Sequence, residues 1–271
     1  MTTVTEAVEQ LVRATVSRSD EDMGAQWTWG SYDEEGLRFA LLMTHHELRD
    51  LAVRLAAQRL PRPQARAILA QYHEAYRDLT AVLATVRDED LDRAPAKGEW
   101  PLRDVLEHLL GAEHGFLGVG RFALARHRAG TYASQTEEDF AAFRRGYAMP
   151  EGAVSGGIGA IRDSFFTQHV RVLRELDDVT DAELELPSRF WEDEDMPIRF
   201  RMHRFEEHLR QHTIQLDKTL VGIGRPQTEA HRLIRNVYGA LAAVETEPAQ
   251  AEELRSSIAR TIAERVTSIS A

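Results

Sequence analysis

From Gln64 to Val221 apolar residues recur every three to four positions in long runs separated by prolines and glycines, and none alternates with the two-residue period of a useful strand. That spacing predicts amphipathic helices, each of which must bury a stripe against a neighbour, and therefore an all-α fold. The first stripe is Ala65, Ile68, Tyr72, Tyr76, Leu79, Leu83 and Val86. After the acidic DEDLDRAPAKGEW loop, Pro101 opens a second helix to about Arg128, with Leu102, Val105, Leu109, Ala112, Phe116, Val119 and Ala123 inward. A polar, glycine-rich stretch over 129–157 reads as a long crossover or flexible loop, with one helical turn around 139–147. The third helix, 158–177, turns Ile158, Ile161, Phe165, Val172 and Leu176 inward, and the fourth, 198–221, carries Ile198, Met202, Phe205, Leu209, Leu216 and Leu220. Pro197 precedes the fourth helix and Gly222 and Gly224 follow it, the usual start and stop signals.

The flanks are helical too. Thr3 and Glu6 stand at capping-box spacing before a helix over 3–18, and a second helix is expected from Asp33 to about Arg59, ended by Leu60-Pro61-Arg62-Pro63. Trp27 and Trp29, in the connector between them, are expected to pack on a neighbouring surface. Two further helices are expected over 231–244 and 252–269. The organisation that follows is an N-terminal helical extension (1–60), a central helical domain (61–226), and a C-terminal helical extension (227–271) packing on it.

Histidine is the residue that carries chemistry here. His208 and His212 lie one turn apart on the fourth helix, at the edge of its apolar stripe, so both imidazoles can reach one ion from a single helix. Eleven histidines in 271 residues give about 0.4 such pairs by chance, so spacing alone leaves two ordinary helix-surface histidines as the alternative. His108 occupies the same edge position on the second helix, and Asp104, one turn earlier, could orient its ring. His169 falls among the inward residues of the third helix, as a core histidine or one facing the same cavity. His46, His114 and His203 point away from the stripes and are expected to be solvent-exposed. Tyr72 and Tyr76 are either core residues or hydrogen-bonding contacts for a ligand. Arg201, Gln215 and Thr219 lie along the histidine face as rim residues or substrate contacts, arginine being suited to a carboxylate.

Composition removes several classes of function. The chain has no cysteine, so disulfides, thiolate ligands and a protein thiol nucleophile are excluded, and any thiol must come from outside. A net charge of −11 disfavours non-specific nucleic-acid binding. No run approaches the roughly 18 apolar residues of a membrane span, and the polar, acidic N-terminus is unlike a signal peptide. The cytoplasm is the expected compartment, and the two extra helical regions offer surface that could cover a homodimer face.

Two runs carry a resemblance. GEWPLRDVLEHLLGAE places a tryptophan just before the helix bearing His108, and EEHLRQHTIQL holds the H-x-x-x-H pair followed by Gln-Leu. In that order, across roughly Gln64 to Gly224, the chain resembles the DinB-like superfamily, which includes the YfiT-like proteins and the bacillithiol- and mycothiol-dependent transferases. The resemblance implies a four-helix bundle with one long crossover and a metal triad of His108, His208 and His212. Three neutral imidazoles would leave an open fourth position, the pattern of a catalytic site. It further implies a divalent metal, zinc or nickel, a low-molecular-weight thiol as co-substrate, and a small-molecule substrate. The expected activity is thiol S-transfer. A metal-dependent hydrolase or isomerase on the same residues, or a non-catalytic metal-binding bundle, remain as alternatives.

Overall fold

The computed structural model describes residues 2–190, 194–248 and 251–270. In chain order its α-helices are α1 (Val4–Thr15), α2 (Asp20–Met23), α3 (Arg38–Ala56), α4 (Gln64–Leu83), α5 (Leu102–Arg128), α6 (Glu137–Arg144), α7 (Ile158–Leu176), α8 (Ile198–Gly222), α9 (Glu229–Glu245) and α10 (Glu252–Ser270). The protein is all-α, a helical bundle with further helices at both ends. A minimal antiparallel pair, β1 (Pro187–Ser188) with β2 (Met196–Pro197), is the only strand pairing named among the described residues. It brings together the two ends of the acidic loop before α8.

The helix limits follow local chemistry. Thr3 and Glu6 form the expected capping box of α1. Pro101 and Pro197 sit at the N-cap positions of α5 and α8, extended at φ −65° and −64°, so the rigid ring ends the loop rather than occupying the first helical turn. α3 begins five residues later than the stripe suggests, because Gly36 takes a left-handed φ of 69°, where a side chain would be strained. α4 stops at Leu83, and Asp88–Asp90 make a separate 3₁₀ turn.

The chain divides into two compact units. The first comprises Met1–Pro61, Arg77–Val86 and Gly224–Ala271. In it α3 packs on α9 and α1 on α10, around a core that includes Leu11, Leu41, Leu48, Ala81, Val237, Tyr238 and Ile262. Arg77 pairs with Glu245 and Arg235 with Asp78, fastening the second half of α4 to α9. Arg265 is fully buried, its Nη1 and Nη2 donating to Glu47 and Thr44 and its guanidinium lying over Trp29, while Nε has no partner among the described residues. Trp27 packs against the same core and stacks on Trp29.

The second unit, Arg62–Tyr76 with Arg87–Ile223, is the four-helix bundle of the first half of α4 with α5, α7 and α8. α5 packs on α8 and α7. α4 joins them through Tyr72, which touches Glu113 of α5, His169 of α7 and Phe205 of α8. α5 and α8 run antiparallel, since His108 faces His212 while Phe116, two turns on, faces Phe205. The crossover is more structured than a flexible connector. It contains α6, which packs on α5, and Tyr147 lies so close to Gly118 that an added Cβ would sit 3.1 Å from it.

Candidate metal centre

α5 and α8 bring His108, His208 and His212 to one place. One ligand atom from each lies within 4.8 Å of the others. The ring centroids of His208 and His212 are 4.3 Å apart, and those of His108 are 5.2 and 4.7 Å from them. The four-residue spacing puts the α8 pair on one face, while the antiparallel packing supplies His108 from across the groove. His208 and His212 are each 6% exposed and His108 is on the surface, so the group is open to solvent on the α5 side.

The donor atoms of the α8 pair are arranged in an unusual way. Nε2 of His212 lies 3.1 Å from Nε2 of His208. Nδ1 of His212 is 2.7 Å from Oε1 of Gln215, and an amide oxygen can only accept, so the proton belongs on Nδ1 and Nε2 presents a lone pair. Nδ1 of His208 is buried and has no partner among the described residues. Burial, then the neighbouring His212 and His108, then Arg204, push the His208 imidazole down to about 3, so it is neutral at physiological pH. His212 is lowered as well, chiefly by burial, against the opposing Gln215 hydrogen bond. With its proton on Nε2, a neutral His208 can donate to the His212 lone pair; with the proton on the unpartnered Nδ1 instead, both Nε2 lone pairs would point at a shared cation. Tetrahedral metal–nitrogen bonds of about 2.0–2.1 Å put neighbouring donors roughly 3.3 Å apart, close to the separation of the pair. The residues fit a divalent ion.

The surroundings are aromatic on two sides. Trp100 tilts over His108 at 5.3 Å, from a loop held by Arg103, which pairs with Asp92 and donates its backbone N–H to Leu91. Gly222, at the end of α8, has no room for a Cβ because Pro95 of that loop would be 2.5 Å away. At the other side the Phe116 ring meets His208 edge-on at 5.2 Å, and the Arg204 guanidinium lies over Phe116 at 5.5 Å. Asp104 is exposed, and the group packed on His108 is the Trp100 ring rather than that carboxylate.

The other sequence candidates separate into three groups. Gln215 contacts the triad directly through His212. Arg201 does not: it is 7% exposed and donates to the Oγ and backbone oxygen of Ser188, holding β1 against α8. Tyr72 and Tyr76 belong to a polar layer in the bundle core. Tyr72 donates to Oε2 of Glu113 at 3.2 Å, and Tyr76 stacks on His169 at 3.7 Å. His169 in turn lies 2.9 Å, nitrogen to nitrogen, from His73. Thr219 is buried on α8. His114, expected to be exposed, is 7% exposed and under the crossover, with its imidazole pushed down mainly by burial. The periodicity argument assumed one buried stripe on α5, whereas the helix is covered by α8 on one side and by α6 and α7 on others. His46 is exposed and His203 half-buried. The sequence reading missed Glu113, His73 and Arg204, although an acidic residue within a run of apolar helix positions was a visible signal for the first.

Residues 71–216, just over half of the chain, match the sequence profile of the DinB superfamily. Searches of curated proteins and of solved structures each return no match. The matched span contains all three converging histidines, the whole of α5 and α7 and most of α4 and α8, and on the strength of that match the chain belongs to the DinB superfamily.

Proposed function

We propose that this protein is a metal-dependent enzyme that transfers a low-molecular-weight thiol to a small electrophilic substrate. The observation that carries the reading is the His208–His212 pair, neutral and with facing Nε2 atoms, completed by a solvent-exposed His108. His108, His208 and His212 would hold the ion, zinc or nickel being suited to imidazole donors. Bound there, the ion would supply Lewis acidity that keeps a small thiol deprotonated near neutral pH.

The chain's own residues have definite tasks in this reading. Gln215 fixes the His212 tautomer and leaves Nε2 free as a donor. Burial keeps His208 unprotonated, so no proton need be displaced from it when a cation enters. Trp100 and Phe116 wall the site and exclude water from the flanks of a bound molecule. The absence of cysteine means that the sulfur nucleophile is a co-substrate. A hydrolase acting through water is the alternative on the same residues, and a purely structural ion is a third. Among the described residues the group contains three histidines and no carboxylate, and this open donor set supports catalysis over a closed structural site.

The test is metal analysis of protein purified without a histidine tag, together with thiol conjugation assayed with bacillithiol, mycothiol and glutathione. About one equivalent of metal is expected in the wild type, with metal and conjugation both lost in His108→Ala and His212→Ala. Conjugation at the wild-type rate in His212→Ala would end the enzymatic reading, and a metal-free wild type that takes up no added zinc or nickel would end the metal reading too.

A further inference from the structure

We infer that Arg204 selects a substrate bearing a negatively charged group, a carboxylate or its like, on an apolar body, a proposal that deepens the metal-site reading above and rests on it. Arg204 is one turn before His208 on α8, with its guanidinium over the Phe116 ring, and that ring meets His208 edge-on. The cation thus stands one ring beyond the triad, and its charge acts on His208. Its hydrogen-bonding capacity is barely used. Nη1 donates to Glu207 at 2.8 Å, in a pair whose side chains are 30% and 64% exposed. Such exposed pairs contribute about 0–1 kcal/mol, so a substrate anion can displace Glu207 at little cost. The guanidinium sits over Phe116 at 5.5 Å, leaving Nε and Nη2 as donors for a planar carboxylate.

Arg201, the other arginine of this helix that faces inward, is occupied by Ser188 and buried. Arg210 pairs with Glu206 on the outer side. Arg204 is therefore the cation beside the triad that a ligand can engage. Trp100 at one end of the histidine group and Phe116 at the other provide the apolar walls for the body of the molecule.

The probe is 4-mercaptobenzoate, with methyl 4-mercaptobenzoate as its uncharged counterpart. The para position keeps the carboxylate away from a metal that the sulfur has engaged. Affinity for cobalt-loaded protein is read from the sulfur-to-cobalt absorption band, independently of turnover. In the wild type the acid is expected to bind at least about tenfold more tightly than the ester, as one charge-assisted hydrogen-bonded pair provides. Arg204→Gln should equalise the two at unchanged cobalt stoichiometry, Arg204→Lys should keep part of the preference, and Arg210→Gln should keep all of it. Equal binding of acid and ester by the wild type, or the same preference in Arg204→Gln, overturns the inference while leaving the metal centre intact. Failure of the wild type to take up cobalt overturns both. If Arg204→Gln does not fold, loss of the preference in Arg204→Lys as well as in Arg210→Gln would show a non-specific charge effect and overturn it.

Discussion

Glu113 is the residue that the bundle accommodates least comfortably. Its side chain is 1% exposed, Oε1 has no partner among the described residues, and Oε2 is held only by the Tyr72 hydroxyl. Burial raises the carboxyl to about 8, with the Tyr72 hydrogen bond pulling weakly the other way, so Glu113 is protonated at neutral pH. The unfolded chain ionises this group near the ordinary 4.5. Between about pH 4.5 and 8 the folded state therefore holds a proton that the unfolded state has released, and stability falls as pH rises through that window. The slope is at most about 1.4 kcal/mol per pH unit. Glu113→Gln, which keeps the shape and a hydrogen-bonding oxygen, should remove that slope and be more stable than the wild type at pH 8, with the difference vanishing near pH 4. Urea denaturation across that range measures it, and an unchanged slope in the variant would show that the carboxyl is not the titrating group. Periodicity could not reveal this residue's state, because a glutamate in a helix is read as solvated unless its neighbours on three other helices are known. The histidine pair was legible for the opposite reason: His208 and His212 are close through their own helix, independently of what packs on it.

Among the elements, α5 shows best how far a sequence pattern reaches. Its limits were readable from Pro101 and from the run of inward residues, and its pairing with α8 was implied by the family resemblance that groups His108 with His208 and His212. What the pattern did not give was the second covered face, where His114 and Gly118 meet the crossover. A helix with two buried faces loses its single-stripe signature, and a segment as polar as 129–157 carries no apolar run that announces what it covers. The glycines of α5 test this arrangement. A Cβ on Gly115 would meet nothing within 4 Å, whereas at Gly118 it would sit 3.1 Å from Tyr147. Gly115→Ala should stabilise by up to ~1 kcal/mol through helix propensity and reduced freedom of the unfolded chain. Gly118→Leu gains a similar propensity term, but the long side chain must displace Tyr147 and Arg144, an overpacking cost of about 1–3 kcal/mol. It should come out destabilised in denaturant titrations. A Gly118→Leu protein as stable as Gly115→Ala would show that the crossover does not rest on α5.

For the whole molecule, chain order and spatial grouping differ. Residues 1–61 and 224–271 build one unit together, along with residues 77–86. Hence α4 serves two cores: Tyr72 lies in the polar layer of the bundle, while Ala81 is part of the core that α1, α3, α9 and α10 form. The sequence shows α4 as one continuous stripe from Ala65 to Leu83, since a helix that changes partners halfway keeps the same period. Linear boundaries near 60 and 226 follow from the breaks at Pro61–Pro63 and Gly224, and they mark where units change without showing that the outer segments belong together. This has a consequence for dissection of the protein. A fragment spanning residues 62–223 keeps the three histidines and all the bundle helices, but it also keeps Arg77–Val86 without the rest of their unit, so Ala81 and Ala84 lose the core they pack in. Leaving such a patch in water costs roughly 25 cal/mol per Å² of apolar surface, and it invites association. The fragment should therefore bind a hydrophobic dye, self-associate, and unfold over a broader denaturant range than the intact protein. Replacing Ala81 and Ala84 by polar residues should reduce dye binding in the fragment and destabilise the intact chain. Size-exclusion chromatography, dye fluorescence and urea unfolding distinguish the outcomes, and a monomeric, dye-silent, cooperatively unfolding fragment would show that Arg77–Val86 does not need the rest of the first unit to be covered.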